Sequence, residues 1–230
     1  PRSFPLVLVV EHVRHSLVDP FARATRIVLL PRYCRKHRLS ALLDVAEVQK
    51  YRRKSIVKIA SWILKYFNWS IRGAIPSDKR VVVVVGPHTS NWDFIIGVLV
   101  ILSLDARINW IGKHTIFKNG FKNFLIKLGG IPVNRDNPSE LFKKINKLTE
   151  KSNGYLIAMA PEGTRKKVNK LKSGFIRIAN QTNSKILLAG IDFQKKFINL
   201  DRFCVPSGDL NDDLQYVQNY FNLYSGKKIQ

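Results

Sequence analysis

Apolar positions along this chain come in short blocks separated by polar, glycine- and proline-containing turns. From Lys54 to Ile71 the apolar residues Ile56, Val57, Ile59, Trp62, Ile63, Leu64, Phe67 and Trp69 leave one narrow polar stripe of Lys58, Ser61, Lys65, Asn68 and Arg72. Recurrence of polar residues at three and four positions predicts a helix. Its apolar face is too wide for a helix that simply borders water; lysines beside Trp, Tyr and Phe suit the lipid headgroup boundary. Packing on most sides inside a core is the competing expectation. Val81–Val85 is an unbroken β-branched run and predicts a buried parallel strand. Gly86–Asn91 reads as a turn, Trp92–Leu104 as a helix and Ile108–Ile111 as a second strand. Phe117–Leu128 reads as an amphipathic helix ended by Gly129 and Gly130, and Ile131–Val133 as a short strand. Asn137 as N-cap, Pro138 at the first position and Glu140 at the third open another helix, with Leu141, Phe142, Ile145 and Leu148 on one face. Tyr155–Met159 and Ile186–Phe193 complete the strands, and Leu210–Leu223 is a closing helix. Alternation of strands and helices predicts an α/β fold, a central mostly parallel sheet flanked by helices. An amphipathic membrane-surface helix at residues 54–72 is expected to precede it.

Composition narrows the partners. A formal charge of +23 on 230 residues implies a polyanionic partner: nucleic acid, anionic lipid or a phosphorylated substrate. The basic residues are spread over several helices and no nucleic-acid-binding motif occurs, so no nucleic acid is expected and an anionic membrane surface is. The longest apolar run, Phe94–Leu104, has 11 residues, where a span needs roughly twenty, and Phe4–Val10 lacks the layout of a signal peptide. The expectation is a protein that lies on a membrane and does not cross it. Cys34 and Cys204 make neither a disulfide framework nor a metal site, and each reads as a plain buried thiol in a reducing compartment. Residues 1–53 hold nine Arg, two Lys and no Asn, against seven Arg, 21 Lys and 16 Asn afterwards. They are therefore set apart as an N-terminal appendage, with the functional domain at residues 54–230. The Lys, Asn and Ile bias of that domain suggests an AT-rich, bacterial genome.

The chemistry concentrates at the expected strand ends. Gly86-Pro87-His88-Thr89-Ser90-Asn91-Trp92-Asp93 joins a buried strand to a helix, and open α/β sheets gather ligands at the carboxyl ends of their strands. If the turn folds back, Asp93 faces His88, fixes the imidazole tautomer and stabilises the imidazolium formed when His88 takes a proton. Ser90 lies between them without the flanking glycines of a nucleophile elbow, so the hydroxyl that His88 activates belongs to the substrate. A structural role competes: the helix dipole favours Asp93, and Ser90 or Asn91 would cap the same helix. Two further strand ends carry cations. Gly129-Gly130-Ile131-Pro132-Val133-Asn134-Arg135 places an Arg past one strand, and Pro161-Glu162-Gly163-Thr164-Arg165 follows another, while Lys113 lies just past a third. Arg pairs bidentately with phosphate oxygens and Gly163 permits close backbone approach. Each cation taken singly also reads as solvated surface charge. Together they describe a phosphate pocket beside a base.

These segments, in this order, resemble the motifs of the glycerolipid acyltransferase family, whose bacterial type is the 1-acylglycerol-3-phosphate acyltransferase. His88 and Asp93 match its His, four residues, Asp motif; Gly130–Arg135 resembles the second; Glu162–Arg165 matches Glu-Gly-Thr-Arg, followed by Lys172-Ser173-Gly174-Phe175. The resemblance covers about residues 54–230. It implies an O-acyltransferase that moves a fatty acyl group from acyl-CoA or acyl carrier protein to the free hydroxyl of 1-acylglycerol 3-phosphate. His88 would deprotonate that hydroxyl. Arg135, Glu162, Gly163, Thr164 and Arg165, with Lys113, would hold the phosphate and glycerol of the lysophospholipid acceptor. No metal or cofactor is implied beyond the acyl donor, and the expected location is peripheral, on the cytoplasmic face of the cell membrane. Two positions depart from the family pattern. The usual fourth motif carries a Pro after an apolar strand, where this chain reads Ile186-Leu187-Leu188-Ala189-Gly190-Ile191-Asp192-Phe193, and Gly-Pro stands before His88 in place of the commoner Asn. Another lysolipid or glycerol 3-phosphate is the alternative acceptor, and a non-catalytic basic membrane-surface protein is the alternative from a different class.

Overall fold

The computed structural model describes residues 54–75, 80–118, 120–134, 138–151, 154–165 and 168–228. Residues 1–53, expected as an appendage, lie outside them. Seven strands among the described residues form one sheet: β1 (Ser70–Gly73), β2 (Arg80–Gly86), β3 (Asn109–Lys113), β4 (Gly130–Val133), β5 (Tyr155–Met159), β6 (Lys185–Asp192) and β7 (Phe197–Cys204). Their order is β1-β7-β6-β2-β5-β3-β4. Strands β6, β2, β5, β3 and β4 run parallel, whereas β7 is antiparallel to β6 and carries β1 parallel to itself on the edge. This is the expected mostly parallel sheet.

The apolar runs of β2, β5 and β6 need no polar face because the sheet is covered on both sides. On one side Val81, Val83, Leu156, Ala158, Leu187 and Ile191 pack with Leu64 of α1 (Lys54–Tyr66) and with Ile96 and Val100 of α2 (Trp92–Ser103). On the other, Val82, Val84, Ile157, Ile186 and Leu188 pack with residues of three helices: α4 (Pro138–Lys151) contributes Ile145, α5 (Gly174–Thr182) Phe175 and Ile178, and α6 (Leu210–Phe221) Leu214 and Val217. Each fully buried side chain of this kind contributes roughly 1.5–3 kcal/mol, which fixes the strand whose far end carries His88.

Several elements differ from expectation. The first helix stops at Tyr66, and residues 70–73 form strand β1. Asn68 takes a left-handed φ of 60°, Asn68 N–H donates to Lys65 O (3.0 Å) and Trp69 N–H to Leu64 O (2.8 Å), the two bonds of a Schellman stop. Trp69 then packs edge-on against Phe193, with ring centroids 5.0 Å apart. The helix expected over 117–128 shrinks to α3 (Lys122–Lys127), because Phe117 is buried beside Trp110 and Gly120 breaks the path at φ 93°. Strand β7 and helix α5 are additional to the expected elements. Cys204, read as a plain thiol, is disulfide-bonded.

Helix α1 buries Ala60 and Leu64 only, while Ile59, Trp62 and Tyr66 stand 58, 64 and 68 % exposed. No helix among the described residues is long and apolar enough to cross a membrane.

Candidate active site

Strand register brings the chemistry-bearing residues to one end of the sheet. Val83 pairs with Ala158, which pairs with Trp110; His88, Gly163 and Lys113 follow five, five and three residues beyond that common row. Strand β2 ends at Gly86, and the chain turns through a cis Gly86–Pro87 bond into the loop that leads to α2.

That loop is wound around the Asp93 carboxylate, which is buried in the first turn of α2. Asp93 Oδ2 accepts from Thr89 N–H (2.7 Å) and Ser90 N–H (2.8 Å), and Oδ1 accepts from Ser90 Oγ (3.2 Å). His88 Nδ1 lies 2.9 Å from the same Oδ2, with the imidazole 28 % exposed. An Nδ1–H donated to Asp93 leaves Nε2 as the basic nitrogen. Ser90 Oγ accepts from Trp92 N–H (3.1 Å), so Ser90 supplies the cap and Asn91 does not. The start of the helix thus builds the His88–Asp93 pair.

Glu162 joins the second chain segment to this loop. It is buried, and its Oε1 accepts the His88 N–H at 2.8 Å. Burial raises its pKa above the ordinary carboxylate value, an effect partly offset by the hydrogen bond and positive field from His88. The hydrogen bond ties the His88 backbone to the segment that follows β5. Arg165 donates to Asn91 Oδ1, a second tie between the same segments. Gly163 sits at φ 65°, where a side chain would be strained, and a Cβ there would lie 3.2 Å from the Lys172 stem. Thr164 is exposed, and Lys113 is exposed at the end of β3. Arg135 lies outside the described residues. His88, Asp93, Glu162 and Arg165 are thus gathered around one loop.

Sequence reasoning missed three contributors. Lys172 follows the Glu-Gly-Thr-Arg segment, its N–H bonded to Pro161 O (2.9 Å) and its side chain beside Gly163; its place in the Lys-Ser-Gly-Phe run alone assigns it no role. Gly226 abuts Thr89, and the Lys227 ammonium lies 4.1 Å from the centroid of the Trp92 ring. Nothing local in the sequence links residues 226–227 to a loop so far upstream.

The α/β sheet thus carries an oriented His88–Asp93 pair at the end of one strand, with Lys113 and Arg165 beyond the ends of β3 and β5. Residues 68–191, over half of the chain, match the model of the Acyltransferase family, and the chain belongs to that family as an acyltransferase. In fold it is similar to the 1-acyl-sn-glycerophosphate (LPA) acyltransferase PlsC from Thermotoga maritima, with a TM-score of 0.54, 22 % identity, and coverage of 74 % of this chain and 76 % of that one. Comparison with curated protein sequences gives no match.

Proposed function

We propose that this acyltransferase esterifies the free hydroxyl of 1-acylglycerol 3-phosphate with a fatty acyl group carried as a thioester on CoA or acyl carrier protein. The observation that carries this reading is the 2.9 Å His88–Asp93 pair at a strand end whose neighbours present Lys113 and Arg165. His88 Nε2 takes the proton of the acceptor hydroxyl as its oxygen attacks the thioester carbonyl. The tetrahedral intermediate collapses with cleavage of the C–S bond. The thiolate then recovers the proton from the imidazolium, releasing ester and free thiol. Asp93 stays ionised throughout and stabilises the imidazolium. Lys113, Arg135 and Arg165 hold the phosphate, with Gly163 and Thr164 bringing backbone close to it; Glu162 positions His88.

The reaction takes place at an anionic membrane surface, peripherally and on the cytoplasmic face. Exposed Trp62, Tyr66 and Ile59 on α1 and the charge of +23 support this, since aromatic rings and basic residues together suit the headgroup layer. The test is acyl transfer to a panel of lysolipids and glycerol 3-phosphate, by protein on anionic vesicles. Transfer preferring lysophosphatidic acid is expected, and Arg165→Ala should raise the KM for that acceptor while sparing the KM for the donor. Preference for an acceptor without phosphate would remove this assignment, and an unchanged KM would remove Arg165 from the phosphate site.

A further inference from the structure

Glycines lay the segment that follows α6 against the loop between β2 and α2. Gly86 and Gly190 are register partners toward the carboxyl ends of β2 and β6. A Cβ on Gly86 would fall 2.8 Å from the Phe221 ring, and one on Gly190 would overlap the Tyr224 ring. The two bare positions let the rings at the end of α6 rest directly on the sheet. Residues 223–228 continue from there as a strap. Phe193 N–H donates to Ser225 O (2.8 Å) and Ser225 N–H to Asp192 Oδ2 (3.4 Å), which ties the strap to the end of β6. Beyond that tie the strap meets the loop. Lys228 N–H donates to Thr89 Oγ1 (3.4 Å), and the Lys227 ammonium stands 4.1 Å from the centroid of the Trp92 ring.

Thr89 connects this packing to the chemistry. Its side chain is buried against Gly226, where an added Cβ would overlap Thr89 Cγ2 and lie 2.8 Å from Oγ1. Gly226 does not take a left-handed φ, so it is the close approach of Thr89, and not the backbone, that requires a glycine there. The Thr89 N–H is one of the two backbone donors on Asp93 Oδ2, the oxygen that also faces His88 Nδ1. A single residue thus has its side chain against the strap and its N–H on the carboxylate.

We propose that the strap is the outer wall of the Asp93 cradle and that Gly226 is a positioning residue for the His88–Asp93 pair. It acts through Thr89 and touches no substrate. Carbon atoms in good contact lie roughly 3.5–4.0 Å apart, so a methyl group on Gly226 must displace Thr89 or the strap by about 1 Å. A misplacement of about 1 Å that starts away from the chemistry can cost about 10²-fold in rate. The kinetic consequence rests on the acyl-transfer reading above; the contact itself does not.

Two experiments test the wall. Gly226→Ala should lower kcat for acyl transfer about 10- to 100-fold, with both KM values within about threefold of wild type. In a Thr89→Ala background, which removes Cγ2 and Oγ1, the same substitution should cost less than about threefold. The His88 ring N–H that faces Asp93 should give a downfield proton signal that weakens in Gly226→Ala and returns in the double variant. Equal losses of kcat in the two backgrounds, or an unchanged ring N–H signal in Gly226→Ala, would overturn the proposal. Native-state hydrogen exchange on the wild type stands even if the variant folds poorly. The Thr89 and Ser90 amides, which donate to Asp93, should open together with the Phe193 amide, which donates to the strap, with protection within about threefold of one another. Cradle amides that exchange well apart from Phe193, in either direction, would overturn it. Neither spectroscopic measurement needs turnover: coupled opening without transfer to any lysolipid would uphold the wall and fault the acceptor reading.

Discussion

Replacing Asp93 by Asn separates the electrostatic role of the carboxylate from its role in holding the loop. Asp93 Oδ2 accepts from two backbone N–H groups and faces His88 Nδ1, while Oδ1 faces the Ser90 hydroxyl. An Asn side chain of the same shape leaves its oxygen to the two N–H groups and turns its NH₂ toward Ser90 Oγ, which can accept. The loop therefore survives, but the imidazolium that forms during proton transfer loses a buried negative partner. A hydrogen bond to a charged group contributes about 1.5–3 kcal/mol, which alone gives roughly a 10- to 150-fold loss; the same substitution in serine-protease triads lowers kcat about 10⁴-fold. We expect Asp93→Asn to lower kcat by about 10²–10⁴, with both substrate KM values within a few-fold of wild type and thermal unfolding little changed. The assay is transfer of a radiolabelled acyl group to lysophosphatidic acid on vesicles, with melting followed by circular dichroism. A kcat within about threefold of wild type would refute the orientation of His88 by Asp93.

Two further outcomes follow from the geometry. The raised pKa of Glu162 means that the folded chain holds this proton more tightly than the unfolded chain, so this group's contribution to stability falls as pH rises from 4.5 through the raised value. Glu162→Gln keeps an oxygen for the His88 N–H and should show a flatter pH dependence, with stability at neutral pH equal to or above wild type. Glu162→Ala strands that N–H and should lose about 1–3 kcal/mol; denaturant unfolding at acid and neutral pH measures both. On α1, Trp62→Ser with Tyr66→Ser removes two exposed rings, and partitioning to anionic vesicles should weaken at least about tenfold with an unchanged melting temperature. Unaltered sedimentation with vesicles would take α1 out of the membrane contact.

Much of the sheet was legible because burial on both faces writes itself as unbroken apolar runs: Val81–Val85, Tyr155–Met159 and the run from Ile186 are strands in the structure. Edge elements were not. Strand β1 has four residues, mostly exposed, and β7 interrupts its apolar positions with Asn199, Asp201 and Arg202. Helix α5 did carry a signal, since Phe175, Ile178, Ala179 and Thr182 fall on one buried face, but its opening Gly174 and short length concealed it. The first helix is shorter than its apolar run because Asn68 adopts a left-handed stop. For the site, the strand-to-helix turn made His88 and Asp93 legible as a pair. The role of Glu162 was not, because its partner is a backbone N–H 74 residues upstream. The strap of residues 223–228 was invisible for the same reason: its contacts with Thr89 and Trp92 exist only once α6 has returned the chain to the sheet's carboxyl end.

The most direct test of the proposed chemistry is acyl transfer by His88→Ala on anionic vesicles supplied with lysophosphatidic acid and either acyl-CoA or acyl carrier protein. Removal of the general base should abolish transfer while melting and vesicle binding stay at wild-type levels. Transfer at a wild-type rate in that variant would contradict the assignment of His88 as the base.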